Sequence, residues 1–147
     1  MDGAGWPIDY DYDYTISLDN YKTYGLIYGS VLDISCPQGW HVATVEEWLQ
    51  LVNYSGGVQN AGRLLKSKGT DLWAAPNEAT NETNFSVLPE GNLSRFQFYD
   101  YSGLGTATSF WAASTNYKPV SILSFWDDDF VSIEDARYFQ TGYCRCV

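Results

Sequence analysis

The spacing of hydrophobic and polar positions predicts two helices in the first half of the chain. Thr44 and Glu47 have the spacing of a capping box, so the first helix begins there, and glycines 56 and 57 end it. A shorter helix is predicted across residues 58–65 and ends near Gly69. The apolar residues at helical spacing are Val45, Trp48, Leu49 and Val52 in the first helix, and Val58, Ala61, Leu64 and Leu65 in the second.

Strand-type patterns occupy much of the remaining chain. Residues 24–34 alternate as a strand does, and four short β-type runs are predicted at residues 110–113, 120–126, 130–133 and 138–147. Residues 73–108 are polar and punctuated by proline, asparagine and glycine, which predicts long ordered loops. The order of helices and strands indicates the α+β class, with two helices packed on short antiparallel sheets in a single domain spanning residues 1–147.

The first segment, residues 1–20, is predicted to be an edge strand or a tail. Residues 9–14 alternate strictly between aspartate and tyrosine, so an extended chain places the tyrosines on one face and the aspartates on the other. Carboxylates on an edge strand discourage aggregation, which is the interpretation we favour. The alternative is an acidic, aromatic binding face.

Composition and charge narrow the choice of partners. Hydrophobic residues make up 45% of the 147 residues and aromatic residues 17%, which indicates a folded domain with a substantial core. The net charge of −10 repels phosphate backbones and anionic lipids, so we expect no nucleic-acid partner. No apolar run has the length of a membrane span, so we expect no membrane insertion. The N-terminus lacks the segments of a signal peptide, and we expect that any export signal has been removed.

Short motifs occur along the chain in a characteristic order. They are YGLIY at residues 24–28, CPQGWH at 36–41, GRLLK at 62–66, ATNE at 79–82, FSVLP at 85–89, FW at 110–111 and RCV at 145–147. As a set, these motifs resemble the Fibrobacter succinogenes major paralogous domain, a family of bacterial surface and secreted modules with a C-type-lectin-like fold. The resemblance covers residues 24–147.

The resemblance implies an extracellular or cell-surface module whose final strands and connections face a ligand. Some relatives are diversified in this region by diversity-generating retroelements, and some are linked with pilus-tip adhesins. The resemblance also implies a disulfide between Cys36 and Cys146. Cys144 lies two positions from Cys146 on the same predicted strand, so both side chains share one face and Cys144 is an alternative partner for Cys36.

Two groups of residues have the chemistry of metal ligands. The aspartates at 127–129 are predicted to form a solvated hairpin turn. The alternative is that they bind calcium, and we expect no other cofactor. The three cysteines with His41 offer a Cys3His zinc site as an alternative to a disulfide, but the Cys-x-Cys spacing and the implied export disfavour it.

His41 is the only histidine, and no nucleophile and base are paired nearby, so we expect a structural residue and no enzymatic activity. The nearest thing to a basic patch consists of Arg63, Lys66 and Lys68. These positive charges lie near the C-terminal end of the second predicted helix, where the helix dipole favours cations, so they need no ligand to explain them.

The most informative functional signal is an excess of aromatic residues in the last third of the chain. Most of the tryptophans, Trp40 included, are expected in the core. The aromatic residues after position 116 exceed what one face of a meander can bury, and such residues favour binding surfaces. We therefore predict a ligand-binding module or adhesin-type receptor domain that recognises a protein or glycan on another cell surface. The alternatives are a structural pilus or surface subunit and a relative of the formylglycine-generating enzymes. The candidate ligand-binding residues are Tyr117, Phe125, Trp126, Asp128, Phe130, Glu134, Tyr138 and Phe139.

Overall fold

Short helices, a main five-stranded sheet and a separate two-stranded sheet make up the regular structure of the described residues. The computed structural model describes residues 6–7, 22–94, 100–115, 121–136 and 141–147. The helices used below are α1 (Val45–Tyr54) and α2 (Ala61–Leu65); residues 22–24 are also helical, and a 3-10 turn spans Val31–Asp33. The strands are β1 (Trp6–Pro7), β2 (Leu26–Ile27), β3 (Glu90–Ser94), β4 (Asp100–Leu104), β5 (Ala107–Ala112), β6 (Ser121–Trp126) and β7 (Val131–Asp135). The predicted α+β class is confirmed. No helix among the described residues has the length and apolarity needed to cross a bilayer.

The main sheet is mixed, whereas antiparallel sheets were predicted. Its strand order is β4-β3-β5-β6-β7, and β3 and β5 run parallel through the single pair Gly91 and Thr108. The other neighbouring strands are antiparallel, with Leu123 opposite both Phe110 and Ile133. Gly103 and Gly105 adopt positive φ angles of 79° and 86°, which glycine tolerates and which allow the chain to turn sharply from β4 into β5.

The first helix begins as its sequence predicts. The Thr44 hydroxyl accepts a hydrogen bond from the Glu47 backbone N–H at 3.3 Å, and the Glu47 carboxylate accepts one from the Thr44 backbone N–H at 2.8 Å. This capping box satisfies N–H groups that the first turn leaves unpaired. His41 places Nε2 3.0 Å from the same carboxylate, which is the structural role predicted for it.

The helices pack their apolar faces onto the main sheet. The Trp48 ring lies 5.5 Å from the Phe110 ring, and Phe110 lies 6.1 Å from Phe125, between ring centroids. Trp48 also donates a hydrogen bond from Nε1 to the Trp111 carbonyl at 3.2 Å. The residues that form the buried core are Ile27, Ala43, Val45, Trp48, Val52, Ala61, Leu65, Trp73, Val87, Phe110, Ala112, Leu123, Phe125, Val131 and Tyr143.

Several predicted boundaries are wrong. The strand predicted at 24–34 is reduced to β2, because Gly25 with a φ of 90° precedes it and the 3-10 turn capped by Ser30 follows it. The loop region at 73–108 contains β3, β4 and the start of β5. The last predicted strand makes only isolated bridges in its described part, since residues 142, 143 and 146 each pair with a different segment. Trp40 is 58% exposed rather than buried. The alternating segment 9–14 lies outside the described residues.

Candidate binding surface at the turn between β6 and β7

A buried lysine fixes the turn that connects β6 to β7. We call residues 126–130 the acidic turn. The Lys66 ammonium donates hydrogen bonds to the backbone carbonyls of Trp126 at 3.1 Å, Asp127 at 3.0 Å and Asp128 at 2.7 Å. Bonds from a charged donor are stronger than those between neutral groups. Lys66 therefore links three consecutive carbonyls of the turn to the end of α2.

Helix α2 and the residues before it hold the rest of the turn. The Gly62 backbone N–H donates to the Asp129 carbonyl at 2.9 Å, and the Val131 N–H donates to the Val58 carbonyl at 2.8 Å. A Cβ atom at Gly62 would lie 2.7 Å from the Asp129 oxygen, which is too close for any other residue without movement of the backbone. Glycine is thus needed here because the turn approaches the helix so closely.

The charge of Lys66 is balanced by the turn that it holds. Its side chain is only 1% exposed, and burial lowers the pKa of the ammonium, whereas the nearby carboxylates of Asp129, Asp128 and Asp127 act to raise it. The ammonium also lies 4.8 Å from the centre of the Trp73 ring, a favourable cation–π distance. The three aspartates therefore compensate a buried cation and are more than a solvated turn.

The acidic turn presents two aromatic rings to solvent. Trp126 is 43% exposed and Phe130 is 37% exposed, and they flank the three aspartates. The Asp128 carboxylate accepts a hydrogen bond from the Phe130 backbone N–H at 2.9 Å, which fixes the backbone between them. Glu134 is exposed further along β7. The structure thus brings together Trp126, Asp128 and Phe130 of the predicted set.

The other predicted residues do not join this surface. Phe125 is completely buried and packs edge-on against Phe110, so its assignment to an exposed binding face is wrong. The physical reason is that β6 is buried from Ser121 to Phe125 and emerges only at its last residue. Tyr117, Tyr138 and Phe139 lie outside the described residues.

Among the described residues, the oxygen atoms of the acidic turn are not arranged as in a calcium site. Calcium sites are built from convergent carboxylate and carbonyl oxygens. Here the backbone carbonyls of residues 126–128 point to the Lys66 ammonium, which takes the place that a cation would need. Among the described residues, metal-ligand spacing is found only in the cluster of Cys36, Cys144 and Cys146.

The cysteine cluster contains the disulfide that the family resemblance implied. Cys36 and Cys146 are bonded, with Cα atoms 5.8 Å apart, and join residues separated by 110 positions. The Cys144 sulfur is a free thiol 3.8 Å from the Cys146 sulfur. Burial raises the pKa of Cys144 to about 11, so at neutral pH it is protonated and a weak nucleophile. His41 interacts with Glu47 instead of completing a zinc site.

The residue that sequence reasoning missed is Lys66. It was grouped with Arg63 and Lys68 as a helix-end cation, yet those two side chains are exposed and Lys66 is buried. Its position directly after the buried Leu65, four residues beyond Gly62, is the available sequence signal. Helical spacing from a core residue does not by itself separate a buried lysine from a solvated one.

One protein-family model matches the chain. It is the Fibrobacter succinogenes major domain, and the match covers residues 7–147. This range includes both helices, the acidic turn and all three cysteines. Searches of curated proteins and of solved structures gave no significant match.

Proposed function

The chain belongs to the Fibrobacter succinogenes major domain family, and from this premise we propose that it is an extracellular ligand-binding module with a C-type-lectin-like fold. The α+β architecture, the disulfide between Cys36 and Cys146 and the ordered loop before β3 support this fold. A disulfide suits an oxidising location outside the cytoplasm. The binding surface is the acidic turn.

The observation that carries the proposal is the exposure of two aromatic rings on a turn with a fixed backbone. Trp126 and Phe130 remain accessible although the carbonyls of residues 126–129 are all bound, three by Lys66 and one by Gly62. Binding to such a turn costs little ordering entropy, because the backbone is already held in place. Aromatic residues of this kind dominate the energetics of binding surfaces.

The charge of the surface favours a partner protein that presents lysine or arginine. Asp127 and Asp128 are exposed, and the whole chain carries a net charge of −10. A cationic side chain can pair with these carboxylates and lie on the face of the Trp126 ring, which combines ionic and cation–π attraction. A neutral glycan would use the rings and hydrogen bonds from its hydroxyl groups to the carboxylates, without ionic attraction.

A peptide-display selection tests the proposal. A random peptide library is selected on the wild-type domain alone, and each enriched peptide is then measured against the wild type and against the Trp126→Ala/Phe130→Ala double variant. We expect enriched peptides that carry lysine or arginine, and we expect the double variant to bind them at least about thirtyfold more weakly, the effect of losing a hot spot. Asp128→Asn is expected to weaken binding mainly at low ionic strength.

Trp40→Ala is the matched control, because Trp40 is an exposed tryptophan outside the acidic turn. It should bind the selected peptides as the wild type does. Equal affinity of the wild type and the folded double variant for every selected peptide would exclude the acidic turn as the binding surface. A glycan array probed with the same variants shows whether a sugar replaces the peptide as ligand.

A further inference from the structure

A cavity separate from the acidic turn lies between the segment around β2 and the C-terminal residues. Its volume is about 330 Å³, at the lower end of the range for small-molecule sites. One wall comes from residues 24–35 and the other from β3, β5 and residues 143–146. The side chains that matter for its chemistry are those of Tyr24, Tyr28, Glu90, Phe110 and Arg145. None of these belongs to the acidic turn.

Arg145 supplies the positive charge of this cavity. Its guanidinium carbon lies 5.4 Å from the centre of the Phe110 ring and 5.5 Å from that of Phe85. Two aromatic rings thus hold the group in place through cation–π attraction. Arg145 lines the cavity, and among the described residues no hydrogen bond or ion pair reaches its guanidinium, so its N–H donors have unused bonding capacity.

The carboxyl group that lines the cavity with Arg145 does not cancel its charge at neutral pH. Glu90 is only 4% exposed and accepts a hydrogen bond from the Thr108 hydroxyl at 3.2 Å. Burial raises the pKa of Glu90 to about 8, although Arg145 acts in the opposite direction. Burial and the Glu90 charge also raise the pKa of the Tyr24 hydroxyl, which therefore stays protonated. At neutral pH the cavity is lined by a cation and by neutral groups able to donate hydrogen bonds.

We propose that this cavity binds a small organic acid, whose carboxylate pairs with the Arg145 guanidinium while its body lies against Tyr24, Tyr28 and Phe110. A guanidinium forms two parallel hydrogen bonds with one carboxylate, and this geometry selects planar monoanions. The net charge of −10 disfavours ligands with several negative charges. The module therefore has a small-molecule site in addition to the surface proposed for a macromolecular partner.

The carboxylate can belong to a free aromatic acid, a sugar acid or the C-terminus of a short peptide. Three probes separate these sources: benzoate, glucuronate and N-acetyl-glycyl-phenylalanine. Each is titrated into the ¹⁵N-labelled domain and followed by amide chemical shifts, with benzamide as the uncharged counterpart of benzoate. We expect at least one acid to shift the amides of residues 24–35 and 142–146 in a saturable manner, and benzamide to bind at least about tenfold more weakly than benzoate.

Variants assign the effect to Arg145. Arg145→Gln should weaken binding of the active probe by about tenfold or more, and Arg145→Lys, which keeps the charge but not the planar fork, should bind with intermediate affinity. Arg63→Gln removes an exposed arginine outside the cavity and should bind as the wild type does.

The proposal is overturned if none of the three acids shifts these amides, or if benzamide binds as well as benzoate. It is also overturned if a folded Arg145→Gln domain retains wild-type affinity. The comparison of benzoate with benzamide uses the unaltered protein, so it decides the question even if Arg145→Gln does not fold.

Discussion

Replacement of Lys66 by methionine is expected to destabilise the domain by about 2–4 kcal/mol. Methionine keeps the length and apolar character of the stem but removes the ammonium. The three backbone carbonyls of residues 126–128 then lose their common donor. The acidic turn keeps only its contacts with Gly62 and Val58 and becomes locally mobile.

The magnitude follows from the contacts of the ammonium. Three hydrogen bonds to a charged donor are worth roughly 1.5–3 kcal/mol each before compensation. Two effects reduce this sum: methionine avoids the cost of burying a charge, and carbonyls of an exposed turn regain hydrogen bonds to water. A further loss comes from the Trp73 ring, which no longer faces a cation, and from three aspartates that repel one another without it.

Urea denaturation followed by far-ultraviolet circular dichroism measures the free energy of unfolding of the wild type and of Lys66→Met. Amide hydrogen exchange at residues 127–131 reports the turn itself and should accelerate in the variant. Lys68→Met, which removes an exposed lysine two positions away, should change stability by less than about 0.5 kcal/mol. A loss below about 1 kcal/mol with unchanged exchange in the turn would refute the anchoring role of Lys66.

Three further measurements test other parts of the fold. Gly62→Ala should lower the free energy of unfolding measured in urea by about 2 kcal/mol, because the alanine Cβ would lie 2.7 Å from the Asp129 carbonyl oxygen. This loss is expected although alanine has the better helix propensity. Wild-type stability of the variant would show that the backbone moves at no energetic cost. Cys36→Ser should lower the free energy of unfolding by about 4 kcal/mol. Cys146→Ser should lower it by less, because Cys144 lies close enough to form a disulfide with Cys36 in its place. Equal losses of stability in the two variants, or a free thiol found in Cys146→Ser by Ellman titration, would contradict this. Burial raises the pKa of Glu90 from 4.5 to about 8, so between these pH values the folded protein binds a proton that the unfolded chain has released. The free energy of unfolding of the wild type, relative to that of Glu90→Gln, should therefore fall as pH rises through this window, by at most roughly 5 kcal/mol. A difference that does not depend on pH would exclude a buried neutral acid.

The parts of the fold that sequence patterns predicted correctly depend on local interactions. The capping box needs only Thr44 and Glu47, three residues apart, and the apolar face of α1 needs only helical spacing. Strands β5, β6 and β7 were found because runs of β-type residues alternate with short polar turns. In each case the energetic requirement and the sequence signal lie within the same few residues.

The parts that were missed depend on contacts between distant segments. The β3–β4 pair contains residues typical of turns, such as Gly91, Asn92, Asp100 and Gly103, and strand pairing fixes it although its sequence pattern is that of a loop. Phe125 was placed on the surface because alternation along a strand assumes one exposed face, whereas both faces of β6 are covered. Lys66 lies 60 to 62 positions from the carbonyls that it binds, so its position next to Leu65 does not by itself reveal those partners.

The way in which the acidic turn is held has a consequence for how its sequence can change. Lys66 and Gly62 contact backbone carbonyls of residues 126–129, which every amino acid provides. Side chains at these positions therefore contribute to the surface without determining the path of the turn, apart from the carboxylates that balance the buried charge. A binding surface whose conformation is set by residues outside it can exchange side chains at small structural cost. This property suits the acidic turn, more than the disulfide-linked segments around Cys36, to the role of the proposed binding surface.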